Sequence, residues 1–450
     1  MWNRRFNFIV LFLTRIIVTG GLTLTAHAEI TVGSLSAQTG HLSKVSQIMA
    51  EAQQVAVDYI NKDGIGIVGE GLLEIQSANT MCHPERSLAV ATLLIKKFSP
   101  EAVIGPTCSV TVERVAKLVT VPKDVLLISP SASAPEISFL NDKDLVFRTV
   151  PSDAQQIHTL IKYLLSKEVR EVLVLYETDQ YNQTLAQIFL QEFTDQGGTV
   201  LYKQRLSEET FQLRNTGNKN VDDSTIDQVF IDTFIDTATL ANQPALVMIT
   251  NGNTKTVELF QRFLITVHAK QQEIGEGKIF SHFYGIDSMF TDEIKNLIGT
   301  VVNPYKMHEE FTILSQVILQ NSPEYESYAF MMQLAGLNPY SPYAATSFDT
   351  MMLVALALQH RRMLVDTKTV SEKEISLSDS LRWIANPPGY KIYPGDWDLA
   401  VKLLLAGMDI DYEGATGTLN FDQQGDVIGT YALSQVSPNN TWIVNPIGSP

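Results

Sequence analysis

The sequence predicts an α/β protein of two lobes, each built on a doubly wound parallel sheet. Short apolar runs alternate with stretches of helical period over most of the 450 residues, as expected where helices cover both faces of a parallel sheet. A chain of this length exceeds what one hydrophobic core usually serves. No low-complexity linker separates the halves, so we expect lobes joined by more than one crossing of the chain.

The first 28 residues have the composition of a secretory signal peptide. They carry three arginines, no acidic residue and an apolar stretch, and they end in Ala26-His27-Ala28, a cleavage site of the A-x-A type. Arg15 divides the apolar stretch, so an uncleaved anchor is the alternative. No later segment reaches the ~18 uninterrupted apolar residues of a membrane-spanning helix. We therefore expect an exported, soluble mature chain.

The charge balance argues against nucleic acid as a partner. The chain has 49 acidic and 33 basic residues, a net charge of −16 at pH 7, and loss of the signal's arginines would make it more acidic still. Such a surface repels phosphate groups and anionic lipid.

The cysteine count predicts one disulfide. Cys82 and Cys108 are the only cysteines, and a single pair in an exported chain is expected to be bridged. Closing that loop would contribute roughly 3 to 4 kcal/mol in the chain-entropy model. Two buried free thiols are the alternative. The eight histidines are scattered without ligand spacing, so we predict no zinc or other metal site and no cofactor.

The first half of the chain contains two series of strands and helices. The predicted strands of the first series are 30–35, 72–78, 102–105, 125–129 and 145–149, with helices at 46–61, from Pro84 onward, and after Ser109. The second series begins after Pro151, with helices at 153–167 and 182–196 and strands at 171–176 and 199–206. EVLVLY at 171–176 is almost entirely apolar, which suits a parallel strand covered on both faces.

The second half is less regular at its start. Residues 207–243 are rich in Asn, Asp and Thr, and we expect part of this stretch to be a surface excursion. Alternation then resumes, and the chain ends in what is predicted to be a β ribbon. The predicted strands are 245–250 and 278–285, and the predicted helices are 255–270, 323–335, 343–361, 376–385 and 396–406.

Known catalytic motifs are absent from the sequence. It contains no G-x-S-x-G, no H-E-x-x-H, no phosphate loop ending in GK[ST] and no G-x-G-x-x-G, which are signatures of common enzyme classes. We therefore predict a binding protein and no enzyme. A secreted hydrolase that uses Asp287 or another acid is the alternative, although no nucleophile and base pair supports it.

Three polar corners follow predicted strands, at 36–43, 105–110 and 129–137. Ligands bind at such strand ends in open α/β sheets. Ser109 opens a predicted helix, where it could help hold a carboxylate or act as a plain N-cap. Ser131 and Ser133 could bind a ligand or only shape a turn. The grouping favours a small polar ligand.

The sequence resembles the periplasmic leucine/isoleucine/valine-binding proteins and the wider amino acid and amide receptors of ABC importers. The similarity covers nearly the whole mature chain. It is carried by AVDYINKDG, CHPERSLAVA, VIGPTCS, SPSASAPE and ETDQYNQTLA in the first half, and by SPYAATSFDT and GATGTLNFDQQGD later. The resemblance implies a periplasmic, monomeric receptor that delivers an amino acid or related amide to an ABC permease. A ligand sensor of the same fold is the alternative.

The resemblance also implies a type 1 periplasmic binding fold with three crossings, near 150, 300 and 425. Lobe 1 would then comprise 29–150 and 300–424, and lobe 2 would comprise 151–299 and 425–450. The ligand would lie between the lobes, which close over it as a hinge.

Site residues follow from the same resemblance. Ser109 and Ser133 would hold the ligand's carboxylate, and Ser131 would offer its backbone carbonyl to the ammonium. Tyr181 would close over the ligand, its alternative being an ordinary aromatic residue at the rim. Asp287 would pair with the ammonium, its alternative being an N-cap of the next helix.

The sequence departs from the family at the pocket for the ligand's side chain. Asn182 stands where a glycine is usual after the cleft tyrosine, Gly252 or Asn253 replaces a frequent aromatic residue, and Val45 aligns with an aromatic position. The resemblance therefore does not specify which amino acid or amide is bound.

Overall fold

The computed structural model describes residues 29–40, 42–64, 66–206, 223–241, 243–251, 254–275, 278–301, 307–341, 343–366 and 375–447. The predicted signal peptide at 1–28 lies outside the described residues. So do 207–222, which form much of the stretch predicted to be irregular, and the pocket positions Gly252 and Asn253.

The first sheet has five strands, all parallel, in the order β2-β1-β3-β4-β5. Its strands are β1 Glu29–Ser36, β2 Leu72–Asn79, β3 Ala102–Ile104, β4 Leu126–Ser129 and β5 Val146–Arg148. Because the central strands are buried on both faces, they read as short runs of Val, Ile and Leu in the sequence.

Helices from both halves of the chain cover this sheet. They are α1 Ser43–Ile60, α2 Pro84–Phe98 and α3 Ser109–Val115 from the first half, then α9 Pro323–Leu334, α10 Ala344–Asp366, α11 Leu377–Ala385 and α12 Trp397–Leu405. One face of the sheet packs against α1 and α10, and the other packs against α2 and α3. Residues 351–357 of α10 are fully buried, which explains its unbroken apolar sequence.

The second sheet has seven strands in the order β15-β14-β10-β9-β8-β6-β7. The five strands from β10 to β7 in this order run parallel to one another. Strand β14 pairs antiparallel with both of its neighbours, β10 and β15. The strands are β6 Glu171–Glu177, β7 Thr199–Leu206, β8 Ala245–Ile249, β9 Phe283–Gly285, β10 Phe311–Gln316, β14 Tyr431–Val436 and β15 Trp442–Ile447. The antiparallel pair is the β ribbon predicted for the C-terminus.

Helices also cover both faces of the second sheet. They are α4 Asp153–Ser166, α5 Gln180–Asp195, α6 Asp223–Leu240, α7 Thr254–Ile274 and α8 Asp292–Asn296. Alternate residues of β6 point to opposite cores, since Leu173 packs with α6 and α7 whereas Val172 packs with α4 and α5. Both lobes are therefore doubly wound, as predicted. A small third sheet on lobe 1 contains β11 Tyr390–Ile392, β12 Ile410–Gly414 and β13 Gly417–Thr418.

Two expectations need correction. The crossing expected near residue 300 falls after Gln316, because the strand β10 at Phe311–Gln316 belongs to the second sheet and α9 packs on lobe 1. Residues 223–240, expected to be part of an irregular stretch, form α6. The buried residues Ile231, Phe234, Ile235 and Ala238 of α6 follow helical spacing, which the many intervening Asp and Thr residues obscure.

Candidate ligand-binding cleft

The predicted disulfide is present and lies next to the cleft. Cys82 and Cys108 are bonded, with their Cα atoms 5.6 Å apart. The bridge joins the turn after β2 to the residue that precedes α3. It therefore helps to position Ser109, the first residue of α3.

Ser109 does not act as a plain N-cap. Cys108 occupies the cap position of α3 and makes no side-chain cap hydrogen bond. The Oγ of Ser109 instead accepts a hydrogen bond from the backbone N–H of Ala134, at 3.3 Å. This contact joins the end of β3 to the serine-rich corner after β4 and leaves the hydroxyl proton of Ser109 available for a ligand.

The corner at 129–134 is held against the turn before α3. Ser129 Oγ donates to the carbonyl of Pro106 at 2.9 Å, and Ser131 Oγ donates to the carbonyl of Thr107 at 2.8 Å. With its hydroxyl engaged in this way, Ser131 can serve a ligand through its backbone carbonyl. The structure thus brings Ser109, Ser131 and Ser133 together at the carboxyl ends of neighbouring parallel strands.

Ser133 also contacts the first crossing between the lobes. Its carbonyl accepts from the backbone N–H of Asp153 at 3.0 Å. Its side chain hydrogen-bonds the Asp153 carboxyl, which lowers the pKa of that group and partly opposes the effect of burial. The serine corner is therefore connected directly to the start of lobe 2.

Asp287 follows β9 and begins a short 3-10 turn, Asp287–Met289. It does not cap the next helix, because Thr291 is the N-cap of α8 and its side chain accepts from Ile294 N–H. The Oδ1 atom of Asp287 is buried and has no hydrogen-bond partner. Burial raises the pKa of Asp287, while hydrogen bonding from Gln156 and from local backbone N–H groups opposes the rise.

Tyr181 is the second residue of α5, whose N-cap is Asp179. Burial raises the pKa of the Tyr181 phenol, and the nearby carboxyls of Asp287 and Asp153 raise it further. The phenol is therefore within electrostatic reach of both acids. Asn182, which replaces the family's glycine, is buried and donates to Asp179 Oδ2 at 2.7 Å.

Three residues that were not predicted come under the electrostatic influence of Asp287: Asp153, Tyr343 and Tyr431. Asp153 is 8% exposed, and burial together with the nearby Asp287 raises its pKa to about 8. Burial and both carboxyls likewise raise the pKa of Tyr343, just before α10, and of Tyr431, at the start of β14. Tyr343 lies within SPYAATSFDT, so the resemblance in that segment was a usable signal for it.

A cavity of about 260 Å³ lies where the lobes meet. Lobe 1 lines it with Ser109, Glu113 and Glu136, and lobe 2 lines it with Tyr181 and Thr184. Thr184 Oγ1 donates to Glu136 Oε1 at 3.1 Å, so the lobes are in contact across it. A larger open groove of about 930 Å³ on lobe 1 includes none of the predicted site residues. The smaller cavity is lined by Ser109 and Tyr181, but not by Ser131, Ser133 or Asp287.

A buried arginine links the serine corner to the hinge. Arg148 is fully buried, and its Nε pairs with Asp426 Oδ1 at 2.6 Å. Its Nη1 donates to the carbonyl of Ala134 at 2.8 Å, next to Ser133. Asp426 belongs to the third crossing, so this single side chain holds the binding corner and two crossings together.

Among the described residues, no group of three or more His, Cys, Asp or Glu side chains could hold a metal ion. No helix in that part of the chain combines the length and apolar character needed to cross a membrane.

Comparison with known proteins agrees with this architecture. The model of the family described as "Receptor family ligand binding region" matches residues 48–439. The Leu/Ile/Val-binding protein BraC3 of Rhizobium johnstonii is 30% identical over 165 residues, which cover 36% of this chain and 44% of the relative, less than half its length. The chemotactic signal transduction system substrate-binding protein BasB of Halobacterium salinarum is 21% identical over 428 residues, covering 92% of this chain and 88% of the relative.

A solved structure is similar over the whole fold. The ABC transporter substrate-binding protein from Desulfitobacterium hafniense in complex with Leu has a TM-score of 0.58 at 19% identity, covering 93% of this chain and 100% of that chain. The chain folds into two doubly wound lobes with a cleft between them. The family model matches most of its sequence. The chain belongs to the family of receptor ligand-binding regions.

Proposed function

We propose that this chain is the substrate-binding protein of an ABC importer, which captures a small amino acid or a related amide or carboxylate between its two lobes. One observation carries the proposal: polar groups of opposite chemistry follow strands of the two lobes. Lobe 1 presents a corner of serine hydroxyls, and lobe 2 presents Asp287 with a buried, unpaired oxygen. An amino acid offers a carboxylate to the first group and an ammonium to the second.

The proposed contacts follow from the groups that are available. The hydroxyls of Ser109 and Ser133 would donate to the ligand's carboxylate. The carbonyl of Ser131 and the carboxylate of Asp287 would accept from its ammonium, and Tyr181 would close over it. Ser133 would have to share its hydroxyl with the Asp153 carboxyl, to which it is hydrogen-bonded.

Closure of the lobes would supply the hydrogen-bond partners that stabilise the bound ligand. A charged group taken out of water needs several hydrogen-bond partners, since otherwise the loss of hydration cancels the attraction. Each charge-assisted hydrogen bond contributes roughly 1.5 to 3 kcal/mol. The hydrogen bond between Thr184 and Glu136 joins the two lobes beside the cavity.

The identities of the relatives support this class of ligand. BraC3 is named for leucine, isoleucine and valine, and the Desulfitobacterium hafniense protein was solved with leucine. The changes at Asn182 and Val45 alter the surroundings of the ligand's side chain, so the proposal covers amino acids as a class.

Export, partner and oligomeric state are parts of the same proposal. The signal peptide would direct the chain to the periplasm, where it would act as a monomer that docks on a permease. Mass spectrometry of the exported protein should show a start at Glu29, and light scattering should show a monomer. No turnover is proposed, so the ligand should be recovered unchanged after incubation with the protein.

The test is a thermal-shift screen of the purified protein with matched ligands. The set contains the standard L-amino acids and, for leucine, its amide leucinamide and its deaminated analogue 4-methylpentanoate. A ligand at a hundred times its dissociation constant adds roughly 2.7 kcal/mol of stability, so an amino acid that binds should raise the melting temperature by several degrees. If no amino acid, amide or carboxylate in the set shifts the melting temperature, the proposed function is wrong.

A sensor of the same fold is the second candidate, favoured by the similarity to BasB, a chemotactic protein, over nearly the full chain. The two candidates differ in the partner of the closed form. A transport receptor should stimulate ATP hydrolysis by a permease and ATPase encoded beside it. A sensor would bind the same ligand without any such stimulation.

A further inference from the structure

Three buried polar atoms on lobe 2 have no hydrogen-bond partner and follow strands that are neighbours in the sheet. They are Oδ1 of Asn182 in α5 after β6, Oγ1 of Thr250 after β8, and Oδ1 of Asp287 after β9. The side chains of Asn182 and Thr250 are fully buried. Buried polar groups in native proteins are normally paired, because an unpaired one destabilises the fold. The ligand's ammonium is the proposed partner of Asp287, and the other two atoms still need one.

Thr250 lies beside Asp287 at the carboxyl edge of the sheet. In the parallel pair of β8 and β9, Met248 is level with Gly285, so Thr250 and Asp287 are each two residues further along. Neighbouring strands lie about 5 Å apart. Ser288 Oγ donates to the carbonyl of Thr250 at 2.9 Å, which shows that the turn after β9 packs against the end of β8. Thr250 is therefore next to the proposed ammonium site.

Asn182 is held beside the end of β8 by a shared carboxylate. Asp179 Oδ2 accepts from Asn182 Nδ2 at 2.7 Å and from Asn251 Nδ2 at 3.4 Å, and Asn251 directly follows Thr250 in the chain. Because the amide nitrogen of Asn182 is engaged with Asp179, its Oδ1 is the atom that lacks a partner. An amide oxygen can only accept, so its partner must be an N–H or O–H donor.

The position of these atoms favours a ligand as the partner. Ligands bind beyond the carboxyl ends of the strands in open α/β sheets. Tyr181, which precedes Asn182, lines the cavity between the lobes together with Ser109. Asn182 does not cap α5, because Asp179 is the N-cap and accepts from the backbone N–H of Asn182 at 3.1 Å.

We propose that Asn182 and Thr250 recognise the ligand's side chain, and that this side chain carries a carboxamide. The inference rests on the proposed function, because it concerns the same site. A carboxamide has an NH2 donor and a carbonyl acceptor on one planar group. The NH2 group donates to Asn182 Oδ1, and the carbonyl accepts from the hydroxyl of Thr250. Asparagine and glutamine are the amino acids of this class.

Ligand side chains of other classes leave one or both of these protein groups unpaired. An aliphatic side chain provides neither a donor nor an acceptor, and a carboxylate provides no donor for Asn182. A site built to hydrogen-bond a polar group discriminates strongly against analogues that lack the group, because its own buried atoms then remain unpaired. Leucine has the branched outline of asparagine, and methionine has the length of glutamine. Each pair therefore isolates the contribution of the carboxamide.

Calorimetric titration of the purified protein with two matched ligand series tests the inference. One series is asparagine, aspartate and leucine, and the other is glutamine, glutamate and methionine. In at least one series the carboxamide should bind about tenfold or more tightly than both analogues. The inference is overturned if the carboxamide is the tightest ligand of neither series. It is also overturned if lysine, whose side chain offers donors alone, binds more tightly than both carboxamides.

The failure of this inference and the failure of the proposed function are distinguishable. If amino acids of another class bind in place of the carboxamides, the receptor assignment stands and the inference fails. If no ligand of the thermal-shift set binds, both fail.

The variants Thr250→Val and Asn182→Leu assign the preference to residues, because each replaces a polar group with an apolar one of similar size. Affinity for the carboxamide should fall about threefold to tenfold in Thr250→Val and about tenfold or more in Asn182→Leu. The ratio of carboxamide to aliphatic affinity should fall in both variants. Thr92→Val is the matched control and should bind as the wild type does. Thr92 is exposed on α2, and its hydroxyl donates to the carbonyl of Leu88 within the same helix at 2.8 Å.

A purely structural role of these residues would lower the affinity for both ligands equally. An unchanged ratio in both variants would therefore overturn the assignment. If circular dichroism shows that Asn182→Leu does not fold, because Asp179 loses a donor, Thr250→Val keeps that contact and decides the question.

Discussion

The guanidinium of Arg148 and the carboxylate of Asp426 form a two-point pair, Nε to Oδ1 at 2.6 Å and Nη2 to Oδ2 at 2.9 Å. Arg148 ends β5 at the first crossing, and Asp426 lies in the third, so the pair joins two of the chain segments about which the lobes would move. The same arginine donates to the carbonyl of Ala134, beside the serine corner. The two crossings and the serine corner are thus parts of one hydrogen-bonded unit.

Replacing Arg148 should therefore affect both stability and binding. Arg148→Met leaves Asp426 as a buried carboxylate without its partner, and removing one member of a buried pair typically costs about 3 to 5 kcal/mol. Urea unfolding should show a loss of that size. The double variant Arg148→Met/Asp426→Leu should recover part of it, because no charge remains unpaired. Equal stability of the single and double variants would show that the pair does not act as a unit.

Ser109→Ala should separate ligand binding from folding. The hydroxyl accepts one hydrogen bond of 3.3 Å from Ala134, so its loss should lower stability by no more than about 1 kcal/mol. Loss of a hydrogen bond to a ligand carboxylate should weaken binding about tenfold to a hundredfold. Thermal melts and titration of the same variant measure the two effects. A large loss of stability with intact affinity would assign Ser109 a structural role only.

Asp287→Asn should reduce affinity only for ligands that carry an ammonium. For leucine we expect a loss of tenfold or more, whereas 4-methylpentanoate, which lacks the ammonium, should be unaffected or bind better. Competition with a fluorescent probe in the cleft would measure both ligands. Equal losses for the two would mean that the variant damages the cleft in general, and unchanged leucine affinity would remove Asp287 from the ammonium site.

The sequence was sufficient to predict those strands and helices whose hydrophobic pattern matches their burial in the fold. Runs such as ALVMI in β8 are apolar because both faces are covered, and that pattern is visible without the fold. The helix α6 was missed because only its buried face, including Phe234 and Ile235, is regular, while Asp and Thr fill the rest. The polar composition of this segment concealed the helical period of its buried residues.

Site residues divide in a similar way. Ser109, Ser131 and Ser133 lie in two short polar corners after strands, so sequence position and resemblance singled them out as candidates. Asp153, Tyr343 and Tyr431 come from three distant segments that meet only where the crossings bring the lobes together. Nothing local marks Asp153, which reads as an ordinary acid in the first turn of α4.

The disulfide should matter more for stability than for ligand contact. Cys108 directly precedes Ser109, but neither cysteine lines the cavity of about 260 Å³. In the variant Cys82→Ser/Cys108→Ser, loss of the cross-link should lower the free energy of unfolding by about 2 to 4 kcal/mol. Urea titration of oxidised and variant protein measures this. Affinity should fall only slightly at temperatures where the variant is folded, and a large loss there would show that the bridge fixes the geometry of Ser109.

The ligand-free protein should lose stability as pH rises from about 4 to 8. The pKa of Asp153 is raised to about 8 in the folded protein, whereas an aspartate in the unfolded chain titrates near its ordinary value of about 4. The folded state therefore binds more protons than the unfolded state between about pH 4 and 8. A carboxyl whose pKa is raised on folding destabilises the fold progressively as it ionises. Melting temperatures measured at intervals of one pH unit should decline through the window, and the decline should be smaller in Asp153→Asn. A decline of equal slope in wild type and variant would locate the titrating group elsewhere.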